Sequence, residues 1–174
     1  MTTDTLIQRI NDTAILRGEF TLRSGRTSKY YIDKYLFETQ PDIVAELGQR
    51  FAALLPEGTT RVAGAELGGI PLVTATAMAC GLPMILIRNQ KKDYGTAKQL
   101  EGKIEKGDKV VFVEDIVTSG GQSIEGAKTL EEAGAEVLKV LGVVDRQEGG
   151  REAIEAAGFA FDSLLTKTDL GIVE

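Results

Sequence analysis

Val110-Val111-Phe112-Val113-Glu114-Asp115-Ile116-Val117-Thr118-Ser119-Gly120-Gly121-Gln122-Ser123 reads as a strand, a turn and the start of a helix, in that order. Four apolar residues in a row before Glu114 fit a strand buried on both faces of a parallel sheet. The two carboxylates then fall at its carboxyl end. Thr118, Ser119, Gly120 and Gly121 follow with hydroxyls and readily approached backbone amides, just where a helix opening near Gln122 leaves its first N–H groups unpaired. Such a turn suits a phosphate monoester.

Acids beside a phosphate cradle call for a ligand that is anionic at one end and rich in hydroxyls at the other, and a ribose 5-phosphate has that form. Glu114 and Asp115 can accept hydrogen bonds from sugar hydroxyls while the turn takes the phosphate. A Walker A loop does not fit, because it needs a Lys after its last Gly and Gln122 follows Gly121. The G-x-G-x-x-G dinucleotide fingerprint is absent from this turn as well.

The rest of the chain narrows the chemistry further. Its 174 residues, 43% hydrophobic, suffice for one core and are too few for two full domains. Twenty Lys and Arg against 26 Asp and Glu leave a formal net charge of −6, which disfavours non-specific nucleic-acid binding. The positive charge is concentrated. Residues 21–35 hold Arg23, Arg26, Lys29 and Lys34 against Asp33 alone, and residues 88–98 hold Arg88, Lys91, Lys92 and Lys98 against Asp93 alone. Two such clusters in an acidic chain point to a small anionic ligand. There is no His and a single Cys, Cys80, which excludes Ser-His-Asp and Cys-His catalysis, a His or Cys zinc site and an intrachain disulfide. Any metal is then a hard, oxygen-bound one, which points to magnesium. No apolar run approaches the roughly 20 residues of a membrane span. Residues 1–5 show no basic stretch leading into an apolar one, so a cytoplasmic location is the expectation.

Along the chain, residues 3–16 have the apolar spacing of an amphipathic helix capped by Thr3 or Asp4 and ended by Gly18. Residues 19–37 read as extended, and Pro41 opens a second helix to about residue 55. From Arg61 onward strand, loop and helix repeat. Strands are expected over 61–65, 83–88, 109–114, 136–144 and 159–165, with helices over 70–80, 122–133 and 151–157. That alternation implies one α/β domain over 1–174, built on a mostly parallel, doubly wound sheet flanked by helices. Ligands bind such sheets beyond the carboxyl ends of the strands. The polar stretch 89–107, with three glycines, reads as a flexible lid.

The 110–123 stretch resembles the sugar-diphosphate signature of the type I phosphoribosyltransferases, whose fold is the doubly wound sheet already expected. Four further segments resemble parts of that family, and three of them, all but residues 65–71, resemble its orotate-specific branch. Residues 20–33, with Arg23 and Tyr31, are similar to its amino-terminal base-binding segment. There the resemblance implies that Tyr31 stacks on the base, and that residues 1–40 form a small hood. Residues 65–71 look like its pyrophosphate loop. Residues 88–96 resemble its catalytic loop, which implies that Arg88 and Lys92 contact the diphosphate and that Lys91 and Tyr94 bind substrate, with Lys92 catalytic and reaching the site of a second subunit. Residues 143–150 resemble the segment whose Arg, here Arg146, pairs with the orotate carboxylate, a planar bidentate contact that supplies specificity.

The resemblance implies an orotate phosphoribosyltransferase activity in pyrimidine synthesis. Glu114 and Asp115 would hold the ribose, and Ile116, Val117, Thr118, Ser119, Gly120, Gly121 and Gln122 would carry the 5′-phosphate. It also implies a homodimer with shared sites, acting on orotate and 5-phosphoribosyl 1-diphosphate without nucleic acid or membrane. Mg2+ would be held mainly by the diphosphate and ribose hydroxyls, with Asp115 as the protein's nearest donor. The rivals are a purine- or uracil-specific type I enzyme, which shares the 114–123 stretch but lacks the first and last of these four segments, and a regulator that keeps the fold as a sensor.

Overall fold

The computed structural model describes residues 1–21, 25, 27–90 and 99–173. The chain opens with helix α1, Thr3–Ala14, capped by Thr2, whose hydroxyl accepts from the Thr5 amide at 3.1 Å. One apolar stripe, Leu6, Ile10 and Ala14, is fully buried. The helix ends earlier than its spacing suggests, because Ile15 already begins strand β1, Ile15–Thr21. Gly18 lies inside that strand, where the register against β2, Thr27–Ile32, shifts between Arg17 and Phe20. This antiparallel pair is a sheet of its own. Residues 34–38 depart from the extended reading and form a one-turn helix α2, Lys34–Glu38, followed by α3, Pro41–Ala53, with Pro at its first turn and Asp42 favouring the positive end of the helix dipole.

The main sheet is built from β3, Arg61–Ala65; β4, Met84–Ile87; β5, Leu100–Glu101; β6, Lys109–Val117; β7, Glu136–Asp145; and β8, Phe161–Thr166. Its order is β5-β4-β3-β6-β7-β8, with every neighbouring pair parallel except β4 with β5. The strands alternate with α4, Gly69–Cys80; α5, Gly121–Glu132; and α6, Gly150–Ala156. At the end of α4 a left-handed Gly81, φ 73°, donates its amide to Ala77 and stops the helix. Strand β5 occupies part of the stretch expected to be irregular. Strand β6 runs three residues beyond its expected end, so Ile116 and Val117 belong to the strand.

Side chains along β3 and β6 alternate between two cores. Val62, Val111 and Val113 pack with Leu47, Phe51, Leu72 and the α1 stripe on one face, while Ala63, Val110 and Phe112 pack with Ala127, Leu130 and Ile154 on the other. Burial of each such Val, Leu or Phe stabilises the fold by about 1.5–3 kcal/mol. Both faces being covered explains the unbroken apolar run before Glu114. It also leaves the carboxyl ends of β3, β4, β6 and β7 as the places where polar groups collect.

Candidate active site

Glu114 and Asp115 sit near the carboxyl end of β6, both almost fully buried. Beside them lies a cleft of about 200 Å³ floored by Ala65, Gly68 and Ile87 and bordered by Lys34, Arg88 and Gln122. Lys34, on α2, places its Nζ 2.6 Å from Asp115 Oδ2. Burial opposes the lysine's charge, yet its hydrogen bond and attraction to Asp115 prevail and its pKa is raised. Glu38, one turn further along α2, lies against the same carboxylate with neither oxygen hydrogen-bonded to another group. Burial and the neighbouring Asp115 charge, only partly countered by Lys34, push its pKa up to about 9. Glu114 is pushed up to about 7, again by burial first and the Asp115 charge second, while the Asp115 amide and the Ser123 hydroxyl favour its charged form.

The loop between β3 and α4 closes on these acids. A side-chain carbon on Gly68 would run into Asp115 Oδ2 and come within 3.0 Å of both Glu38 oxygens, so a larger residue here has to displace the Asp115 carboxylate. On the other rim, Arg88 and Gln99 bond to each other at 2.9 and 3.1 Å, and both line the cleft. Thus the segment between them begins and ends there. The Arg88 guanidinium lies 3.7 Å from Glu101, and among the described residues its Nε has no hydrogen-bond partner. Glu66 accepts from the Asn89 amide at 2.7 Å, fixing one rim to the other.

One strand over, Arg146 follows the end of β7, its amide bonded to Val117 O. Its guanidinium donates to the Tyr30 hydroxyl at 2.8 Å, stands 5.5 Å from the centre of that ring, and pairs with Glu148 at 3.1 Å. This contact docks the β1–β2 hairpin onto the sheet's carboxyl edge. The chain therefore presents one edge carrying two buried acids, a turn of small residues before α5 and a guanidinium against an aromatic ring of the hairpin.

A family model for the phosphoribosyl transferase domain matches residues 37–162. The orotate phosphoribosyltransferase of Methanocella arvoryzae is 44% identical over 95% of both chains, and that of Halobacterium salinarum is 45% identical over 97% of this chain and 96% of its own. The chain belongs to the orotate phosphoribosyltransferase family. Among solved members, the Mycobacterium tuberculosis orotate phosphoribosyltransferase in complex with 5-phospho-alpha-D-ribosyl 1-diphosphate superposes with a TM-score of 0.81 at 31% identity, covering 97% of this chain and 98% of that one. The Aeropyrum pernix orotate phosphoribosyltransferase gives 0.82 at 30% identity, covering 98% and 97%. An adenine phosphoribosyl transferase from Trypanosoma brucei shares the fold alone, with a TM-score of 0.72 at 18% identity.

Within this orotate phosphoribosyltransferase family member, the residues singled out from sequence are distributed as follows. Glu114, Asp115, Arg88 and Gln122 line the cleft. Thr118 and Ser119 are exposed in the turn between β6 and α5, with Gly120 buried beneath them and Gly121 opening the helix, whereas Ile116 is partly buried and Val117 packs into the core. Arg146 is not among the residues lining the cleft and lies at the same carboxyl edge. Tyr31 is 46% exposed and rests against Phe20, 5.9 Å between ring centres, on the face of β2 opposite Tyr30. Arg23, Lys91, Lys92 and Tyr94 lie outside the described residues. Sequence reading did not single out Lys34, Glu38 or Tyr30 as site residues. Lys34 belongs to a basic cluster that was noticed only as a total, and strand parity with Ile32 was the available signal for Tyr30.

Proposed function

We propose that the chain transfers the ribose 5-phosphate of 5-phosphoribosyl 1-diphosphate to orotate, giving orotidine 5′-monophosphate and pyrophosphate in de novo pyrimidine synthesis. The observation that carries this reading is the meeting of Glu114 and Asp115 with Lys34 and Arg88 around one cleft, directly before the small-residue turn that opens α5. Orotate's ring nitrogen attacks as an anion, so a chain without His needs no general base. Catalysis reduces to positioning, neutralising the leaving group and stabilising a cation-like ribose.

In this reading Asp115 and Glu114 accept from the ribose hydroxyls, and their negative charge favours the developing sugar cation. Thr118, Ser119 and the amides from Gly120 to Gln122 hold the 5′-phosphate, with Ile116 and Val117 setting the path of the turn. Arg88 and Lys92 attend the diphosphate, with Lys91 and Tyr94 binding substrate. Arg146 takes the orotate carboxylate, while the exposed ring of Tyr31 is available for stacking and Arg23 supplies charge from the hood. The oxygen-only donor set, with two buried acids at the cleft, fits Mg2+. Asp115 would be its nearest protein ligand, and the ion would neutralise charge on the diphosphate.

A homodimer with shared sites belongs to the same reading. It is supported by an apolar groove between α3 and α4, formed by Val44, Ala45, Ile70, Pro71 and Met78, in which Met78 is 81% exposed. Among the described residues no helix is long and apolar enough to cross a membrane. We place the enzyme in the cytoplasm with its polyanionic substrates.

Following orotate absorbance with the activated sugar and Mg2+ tests the activity. Consumption stoichiometric with pyrophosphate release is expected, and no consumption, or turnover of adenine or uracil instead, rejects it. Lys92→Ala should lower turnover by orders of magnitude with little effect on nucleotide binding, since a leaving-group contact acts mainly in the transition state. Arg146→Ala should abolish selection for the carboxylated pyrimidine.

A further inference from the structure

We propose that Lys34 is a further substrate-binding residue, an ammonium that gives up Asp115 to the sugar hydroxyls and then holds the departing diphosphate. This rests on the ribose-phosphate reading above and adds to it a residue from outside its sequence motifs.

The geometry places Lys34 between the two roles. Its Nζ is 2.6 Å from Asp115 Oδ2, on the carboxylate that the ribose must claim, yet 31% of its side chain remains exposed and borders the cleft. A sugar that binds Asp115 therefore displaces the ammonium. No proton has to move, because the lysine stays charged throughout. On the far side of Asp115, Glu38 and Gly68 crowd its Oδ2, whereas the ammonium already borders open space in the cleft.

The leaving group needs it there. A diphosphate entering this cleft faces Glu66, Glu114, Asp115 and Glu125. The loop Ala65-Glu66-Leu67-Gly68 brings no cation. Among the described residues that line the cleft the only other cation is Arg88, which faces Glu101. An ammonium released by the sugar and captured by the diphosphate couples the two halves of the substrate. Each then improves the other's binding, since breaking the pair that opposes the sugar frees a positive charge for the diphosphate.

Lysine acetylation of the intact wild-type protein, read by mass spectrometry at Lys34, tests the exchange directly. Ribose 5-phosphate should increase labelling several-fold as the pair opens, and adding magnesium pyrophosphate should suppress it again. Steady-state kinetics provide the second arm. Lys34→Met should raise KM for the sugar diphosphate and the inhibition constant of pyrophosphate by tenfold or more, with KM for orotate within twofold, and Lys34→Arg should recover most of the loss. Should the Met variant not fold, labelling and the Arg variant decide. Labelling indifferent to pyrophosphate, or pyrophosphate inhibition within twofold of wild type in the folded Met variant, overturns the proposal while leaving orotate turnover intact. Failure of the wild type to turn over orotate overturns the underlying reading, and the proposal with it.

Discussion

Lys34 and Asp115, 81 positions apart in the chain, meet through a 2.6 Å ion pair at the mouth of the cleft. The pair is partly buried and is flanked by Glu38, a carboxyl without a hydrogen-bond partner, and by Gly68. Three acids and one lysine share this corner, and that imbalance has measurable consequences.

The first concerns pH. Glu38 and Glu114 have pKa values of about 9 and about 7, above the roughly 4.3 expected of an unfolded glutamate. Between these limits the folded chain binds more protons than the unfolded chain, so stability falls as pH rises, through about 7 for Glu114 and on to about 9 for Glu38. Below pH 4 the sign reverses, because Asp108 has a lowered pKa: its burial is outweighed by Arg61, the Glu105 amide and the Thr60 hydroxyl together. The melting temperature should therefore be highest in mildly acidic buffer and decline toward pH 9. Glu38→Gln should flatten the decline between pH 7 and 9 and melt above the wild type at pH 9. An unchanged slope in thermal melts followed by circular dichroism would refute this.

Gly68→Ala tests the crowding at the loop. The added methyl meets Asp115 and Glu38, and relieving an overpacked contact of this kind costs about 1–3 kcal/mol. Here it is relieved by turning Asp115 away from Lys34. The variant should remain folded, with KM for the sugar diphosphate raised about tenfold, which corresponds to roughly 1.4 kcal/mol. Wild-type KM would show that Asp115 has more freedom than its surroundings suggest.

Tyr30→Phe removes the acceptor for Arg146 while keeping the ring beneath the guanidinium. A hydrogen bond to a charged group contributes about 1.5–3 kcal/mol. Orotate KM should rise several-fold with turnover changed far less, because the guanidinium loses orientation and keeps its charge. An isothermal titration showing unaltered orotate affinity would count against the docking role of the hairpin.

Met78→Glu places a charge in the α3–α4 groove. If two copies cover that face, the variant should sediment as a monomer and lose most activity, since each site would lose the loop lysine from its neighbour. A dimer that persists at micromolar concentration would move the interface elsewhere.

The β6–turn–α5 unit was legible in the sequence because each of its parts has a local cause. A run buried on two faces is apolar throughout, and the acids, hydroxyls and glycines then follow within ten residues. The sheet followed from the same repeating pattern. Helix α2 was not legible. It spans one turn directly after a strand, and Asp33, the N-cap residue that could have announced it, makes no capping hydrogen bond. The neighbours of Asp115 were hidden for a different reason. Lys34 and Glu38 reach it only through the packing of α2 against α1 and α3, and no spacing rule connects positions so far apart. At Tyr30 and Tyr31 two identical residues conceal which one points inward. Burial of Ser28, Tyr30 and Ile32 along β2 decides it.

The grip of Arg146 on Tyr30 links an amino-terminal hairpin to a strand end 116 positions later. With Arg146 holding the orotate carboxylate as proposed, choice of base is thereby tied to the seating of the hairpin. A protease nick or a destabilising change in the first strands would blunt discrimination among pyrimidines before it touched the sugar-phosphate chemistry, so drift in that hairpin is answerable to a residue far downstream.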